Sequence, residues 1–227
     1  PAEAQAAYAE LAGRTAKQAQ ARIVELLAEA GALDGEPRPI THPVKFYERG
    51  DRPLEFLSTR QWFVRLLDKK AELLAKGAEI DWRPEHMGVR YRDWTQGLNQ
   101  DWCVSRQRYF GVPIPVWYGI DASGQTDYSK PLLPTVEQLP IDPFTDVPPG
   151  FQASDRDRPN GFTGETDIFD TWFTSSMTPQ IGSHWGTDGA RHQRLFPADV
   201  RPQSHEIIRT WAFYTIAKAM LHEDEIP

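Results

Sequence analysis

Residues 205–221 carry the most sustained amphipathic pattern in the chain, and the residues just before them, within 196–203, read as a short strand. Ile208, Trp211, Ala212, Thr215, Ile216 and Ala219 fall on neighbouring faces of the expected helix. A strand that passes straight into a helix is the unit from which α/β sheets are built, so the expected fold class is α/β. In such sheets ligands sit at the carboxyl ends of the strands. Gln203, Ser204, His205 and Glu206 occupy that position here.

Length sets the scale. At about 150 residues per domain, 227 residues make one large domain or two pieces of different modules. The net charge is −7 and the isoelectric point 5.4. Bulk charge therefore gives no sign of a basic nucleic-acid-binding domain, although a local patch stays open. Hydrophobic residues make up 40% and charged residues 25%, as expected of a soluble globular protein. No run approaches the roughly 18 apolar residues of a membrane span, and Pro1-Ala2-Glu3-Ala4 does not begin a signal peptide. The lone Cys103 excludes an internal disulfide and a multi-cysteine metal site, which fits a cytoplasmic setting. The start on Pro1 without a methionine, and the end on Pro227 soon after a helix, suggest a fragment.

Upstream, residues 3–31 read as two helical pieces broken at Gly13. Thr15 and Gln18 form a capping box, and Gly31 is a natural stop. Ala19, Ile23, Leu26, Leu27 and Ala30 make an apolar stripe expected to be core. A strand is expected over 40–47 with a turn at 50–53, then a mixed stretch over 54–67. A helix over 68–76 should end at Gly77, a short strand should cover 80–82, and a helix should run from Pro84 to about Leu98. Residues 101–105 and 113–118 look like strands around the basic segment Arg106-Gln107-Arg108. Residues 121–165, with Pro-Pro, Asn-Gly and many aspartates, read as a small loop-rich insertion.

Three constellations carry chemistry. In 167–176, Asp170 suits the cap of a helix whose first turn holds Trp172, and that indole belongs in a core or a pocket wall. In 202–211, Ile207 and Trp211 share a helix face one turn apart, as in any amphipathic helix. Glu206 near the helix start suits a ribose hydroxyl or an ammonium group, and equally the helix dipole. In 101–111, paired arginines among aromatics can clamp a phosphate or stack on a base, or form a surface strand. His42, His86, His184, His192, His205 and His222 contain no His-x-x-x-His pair, so metal chemistry is poorly supported. No glycine-rich phosphate loop and no G-x-S-x-G elbow occur.

Taken together and in this order, 101–118, Asp-Thr-Trp-Phe-Thr-Ser-Ser (170–176) and His-Glu-Ile-Ile-Arg-Thr-Trp (205–211) resemble class I aminoacyl-tRNA synthetases of the valyl/isoleucyl/leucyl group. Arg60-Gln61-Trp62-Phe63 is similar to that group too, and the 170–173 and 206–211 forms resemble its valyl branch. The resemblance implies the second half of a Rossmann-type catalytic core. Residues 1–57 would be the C-terminal tail of the editing insertion, 58–120 the return into the catalytic core, 121–165 the small insertion and 166–227 the core's second half. It implies that Trp172, Ile207 and Trp211 hold the amino-acid side chain, that Glu206 orients the substrate with Ser204 and His205 nearby, and that Arg106, Gln107 and Arg108 support the core or touch the tRNA end. L-valine, ATP with Mg2+ and tRNA-Val would be the ligands of the whole enzyme.

The sequence departs from the family at several points. Glu206 stands where an Asp is usual and Ser204 where a Gly is usual. The cysteine pairs that relatives often carry are missing from 46–50 and 119–124, so no zinc knuckle is expected. His-Ile-Gly-His and Lys-Met-Ser-Lys-Ser, the two ATP signatures, are absent, so this chain alone is expected not to form the adenylate. Two rivals stay open: the isoleucyl branch, whose pocket needs room for one more methylene, and a carbohydrate-binding or glycosidase module built on the tryptophans with Asp167 and Asp170.

Overall fold

A computed structural model describes residues 2–48, 50–54 and 57–227. The chain divides into two compact units, Pro1–Ser58 and Thr59–Pro227. Pro1, Arg49, Glu55 and Phe56 lie outside the described residues, the last two within the expected mixed stretch over 54–67.

The first unit holds two helices, α1 (Ala2–Leu11) and α2 (Ala16–Glu29). The capping box forms as expected: Gln18 N–H donates to Thr15 Oγ1 and Thr15 N–H to Gln18 Oε1. Gly31 follows the helix at a φ of 65°, a left-handed conformation that costs glycine little. The stripe expected to be core is not buried. Ile23 is 41% and Leu27 40% exposed, and no described residue of this unit is buried. Helical spacing shows which side of α2 is apolar, but among the described residues that side is covered only in part, leaving Ala19 and Leu26 half-buried. The strand expected over 40–47 shrinks to a single bridge between Phe46 and Pro53.

The second unit carries the core. Strand β1 (Phe63–Val64) leads into α3 (Lys70–Glu79) and α4 (Gly88–Gln96). Gly77 does not end α3. It lies inside the helix, where a Cβ would strike the Tyr91 ring, so its smallness lets α3 and α4 approach. The expected strand at 80–82 is irregular. Next come β2 (Trp102–Cys103) and β3 (Ser105–Arg106), then β4 (Trp117–Ile120), β5 (Thr126–Leu132) and β6 (Phe162–Gly164). These last three form an antiparallel sheet in the order β5-β4-β6. The stretch expected to be loop-rich thus supplies two strands, and they pair with β4 across the expected junction at residue 120. Their alternation is hidden because β5 contains Pro131 and a bulge falls between Tyr118 and Gly119.

After β7 (Ile168–Phe169) follow the short helices α5 (Thr171–Ser175), α6 (Thr178–Ser183) and α7 (Gly189–Leu195). The strand expected within 196–203 does not form. Pro197 and Pro202 remove two ladder donors, and no described strand lies alongside to accept the rest. The expected helix at 205 begins as a 3-10 turn, His205–Ile207, passes through a π turn, Ile208–Ala212, and becomes α8 (Phe213–Glu223). The content is mixed helix and sheet, but every ladder between the named strands is antiparallel. Leu66, Leu73, Tyr91, Trp102, Val104, Ile208, Phe213 and Ile216 form the main core. Trp102 stacks on Tyr214 at 3.9 Å between ring centroids. Glu223 near the end of α8 meets His192 Nε2 at 2.6 Å, and His192 Nδ1 lies 2.8 Å from Ser183 Oγ, which ties α6, α7 and α8 together.

Candidate functional site

Trp172 comes from the first turn of α5, Ile207 from the 3-10 turn and Trp211 from the π turn. All three line one cavity of about 360 Å³, together with Thr171, Ser175, Pro202 and Gln203. It is an open cleft rather than a closed slot, and Trp172 is 37% exposed in it. The π turn holds one residue more than an α turn. It follows Ile207 directly, so that Ile208 and Ala212 are buried while Ile207 and Trp211 reach the cleft.

Ser204, His205 and Glu206 do not line the cleft. They form the exposed turn that follows Gln203, where Ser204 caps the 3-10 turn by accepting from Glu206 N–H. Ser204 Oγ also donates to Glu206 Oε2 at 2.7 Å, which holds the carboxylate at the start of the helix. Gln203, which the sequence placed at the ligand end of the unit without a role, is the one of those four that reaches the cleft. Its Oε1 is buried without a partner among the described residues. A buried acceptor left unpaired costs about 1–3 kcal/mol, so it marks a place where a donor belongs. Thr171 and Ser175 were missed, although their four-residue spacing around Trp172 was visible in the sequence.

The basic segment separates into different roles. Arg106 Nη2 lies 3.2 Å from Asp170 Oδ2, and Arg106 Nη1 donates to the Cys103 and Ser105 carbonyls. Asp170 is the N-cap of α5 by position, but its side chain makes no capping bond because it is committed to Arg106. Gln107 Nε2 donates to Asp167 Oδ2 at 2.7 Å and to Gln61 Oε1 at 3.2 Å. Gln61 Oε1 also accepts from Ser105 Oγ. Arg108 is exposed, beside the fully exposed Tyr109. Burial pushes the Glu165 carboxyl upward, but donors from Tyr118, Asp167 N–H and Trp62 outweigh this and hold it below its usual range.

A glycosidase needs two carboxyls facing one cleft. No Asp or Glu is among the residues that line this one, and Asp167 and Asp170 are taken up by Gln107 and Arg106. Among the described residues no group of three His, Cys, Asp or Glu side chains clusters to hold a metal ion. The site is therefore a mostly apolar cleft with a few hydroxyls and one unpaired amide, suited to a small apolar side chain.

A family model described as tRNA synthetases class I (I, L, M and V) matches residues 2–227. A valine–tRNA ligase of Thermobifida fusca (strain YX) is 51% identical over 229 residues, which covers 99% of this chain and 26% of that protein. One from Salinispora tropica is 52% identical over 222 residues, 96% of this chain and 26% of that protein. One from Salinispora arenicola is 50% identical over 230 residues, 100% of this chain and 27% of that protein. The chain spans about a quarter of the length of these curated relatives.

Proposed function

The chain belongs to the class I tRNA synthetases, and from that membership we propose that it forms part of a valine–tRNA ligase. The longer enzyme activates L-valine with ATP to valyl-adenylate and passes the valine to tRNA-Val. The observation that carries this reading is the convergence of Trp172, Ile207 and Trp211, from separate segments, on one cleft. Two flat indoles and a branched aliphatic residue match a small branched side chain. The printed names of the similar proteins point the same way.

In this reading Gln203 Oε1 in the cleft and the Glu206 carboxylate on the exposed turn beyond it take the ammonium group and the adenylate ribose, with Ser204 holding Glu206 and His205 beside it. Arg106 and Gln107 support the core through Asp170 and Asp167, and the exposed Arg108 is free to touch the tRNA end. The reaction is an in-line attack of the valine carboxylate on the α-phosphate, driven by positioning and by stabilisation of charge. These residues bind and orient valine, and none acts as a nucleophile. Mg2+ would enter with ATP in the longer enzyme, and no zinc is expected in this part of it; among the described residues no group of His, Cys, Asp or Glu clusters to hold a metal ion. We place residues 1–57 as the tail of the editing insertion, 58–120 as the return into the core, 121–165 as a small insertion and 166–227 as the second half of a Rossmann-type core. The enzyme would be cytoplasmic; no described helix is long and apolar enough to cross a membrane.

Trp211→Ala in the complete enzyme tests the reading. Losing one wall of an apolar pocket should raise the valine KM about tenfold or more, measured by valine-dependent ATP–pyrophosphate exchange with isoleucine as the comparison. An unchanged valine KM removes Trp211 from the site.

A further inference from the structure

Arg201 belongs to no helix or strand. It lies in the irregular segment just before Pro202 and Gln203, both of which line the cleft. Its guanidinium carbon sits 4.7 Å from the Trp211 ring centroid. Its Nη2 donates to Thr215 Oγ1 at 3.2 Å. Thr215 is fully buried one turn beyond Trp211 and donates in turn to the Ala212 carbonyl at 2.9 Å. Arg201 is not among the residues that line the cleft, so its guanidinium backs the indole rather than filling the space beside it. Burial pushes its pKa down to about 10, and no acid among the described residues offsets this, so it is a desolvated cation at neutral pH.

We propose that Arg201 is a positioning residue that holds the Trp211 indole as a fixed wall and thereby sets the width open to the amino-acid side chain. The inference rests on the reading of the cleft as the valine pocket. A half-exposed tryptophan in an open cleft has rotamers to choose from. A cation over one ring face favours a single orientation, and desolvation strengthens that preference. The bond to Thr215 fixes the cation relative to α8, the helix that continues from Trp211. Because Pro202 and Gln203 follow Arg201 directly, the same anchor holds a second part of the wall.

The test uses the complete enzyme, with Arg201→Met and Arg201→Lys each made in the Trp211 and the Trp211→Ala backgrounds. ATP–pyrophosphate exchange gives kcat and KM for valine, alanine and isoleucine. Arg201→Met should raise the valine KM about three- to tenfold, leave kcat unchanged and narrow the preference for valine, and Arg201→Lys should recover most of the loss. In the Trp211→Ala background Arg201→Met should add nothing. An unchanged KM, a loss confined to kcat, or the same fold-change in both backgrounds overturns the proposal. If Arg201→Met does not fold, Thr215→Val cuts the tether at nearly constant volume and should shift the valine KM in the same direction; no shift overturns the proposal as well. If Trp211→Ala alone leaves the KM unchanged, the pocket reading fails and this inference with it. If Trp211→Ala raises the KM and Arg201→Met does not, this inference alone fails.

Discussion

Lys218 sits on α8 with its Nζ 3.5 Å from the Phe173 ring centroid and only 7% of its surface exposed. Burial pushes its pKa down from 10.5 to about 8. His222, one turn further on, is also held low, by burial first and then by the Lys218 charge, with Glu223 pulling the other way. Between pH 8 and 10.5 the unfolded chain keeps a proton that the folded chain has shed, so stability rises with pH across that window. Below pH 8 the folded state carries the full cost of the buried charge. Lys218→Met removes it, and thermal melts should show the variant more stable at pH 7 by about 3 kcal/mol at most, since the contact with Phe173 is lost as well. Its advantage should vanish above pH 10.5, and a variant that melts lower at pH 7 would refute the assignment. Legibility at this scale depends on whether a residue acts locally. Thr15 and Gln18 cap α2 as the sequence predicts because the capping box needs only its own four residues. Gly77 was misread as a stop because its meaning lies in the Tyr91 ring on another helix. Arg201 escaped notice for the same reason, since it is defined by the indole it meets in space.

Among the elements, α5 is only five residues long and cannot hold itself. Its position comes from Asp170, 7% exposed, whose carboxylate is paired with Arg106 on β3, and from Phe173, stacked on Phe169 at 4.4 Å. Asp170→Asn keeps the shape but weakens the pair and leaves the Arg106 charge less well compensated. The cost should be about 2 kcal/mol, seen as a fall in melting temperature of roughly 4–8 °C. Because α5 carries Trp172, the same variant of the complete enzyme should also show a raised valine KM. A fall in stability with no change in KM would mean that α5 keeps its place without the ion pair. Periodicity located the helix that becomes α8 but missed the π turn, because a turn with one extra residue looks like a small phase error in an apolar pattern. The strand expected within 196–203 rested on little more than Phe196 and Val200 in a segment with two prolines, and a strand exists only where a partner accepts its hydrogen bonds. The reverse error hid β5, whose pairing with β4 survives a proline and a bulge.

At the scale of the whole molecule the two units differ in kind. The cluster that holds the second unit together, from Leu66 to Met220, lies entirely within Thr59–Pro227, whereas no described residue of Pro1–Ser58 is buried. The convergence of Trp172, Ile207 and Trp211 could be expected from the motifs, because their order in the sequence is shared with the family. The openness of the cleft could not, because it depends on what stands opposite, which no spacing within these residues encodes. Stability should follow the same division. Residues 32–45 form no helix or strand and are exposed apart from the half-buried Leu33; Lys45, followed by Phe46, offers trypsin an accessible site there, whereas Arg38 and Arg52 are each followed by proline and resist it. Segments without buried contacts open at little free-energy cost, and proteolysis then reports that opening rather than global unfolding. Brief trypsin digestion of this chain should therefore cut first after Lys45 and leave a product that begins near residue 46 and melts at the temperature of the uncut chain. Early cuts at Arg90, Arg92 or Lys218, which lie on helices of the second unit, would show that its core does not hold by itself.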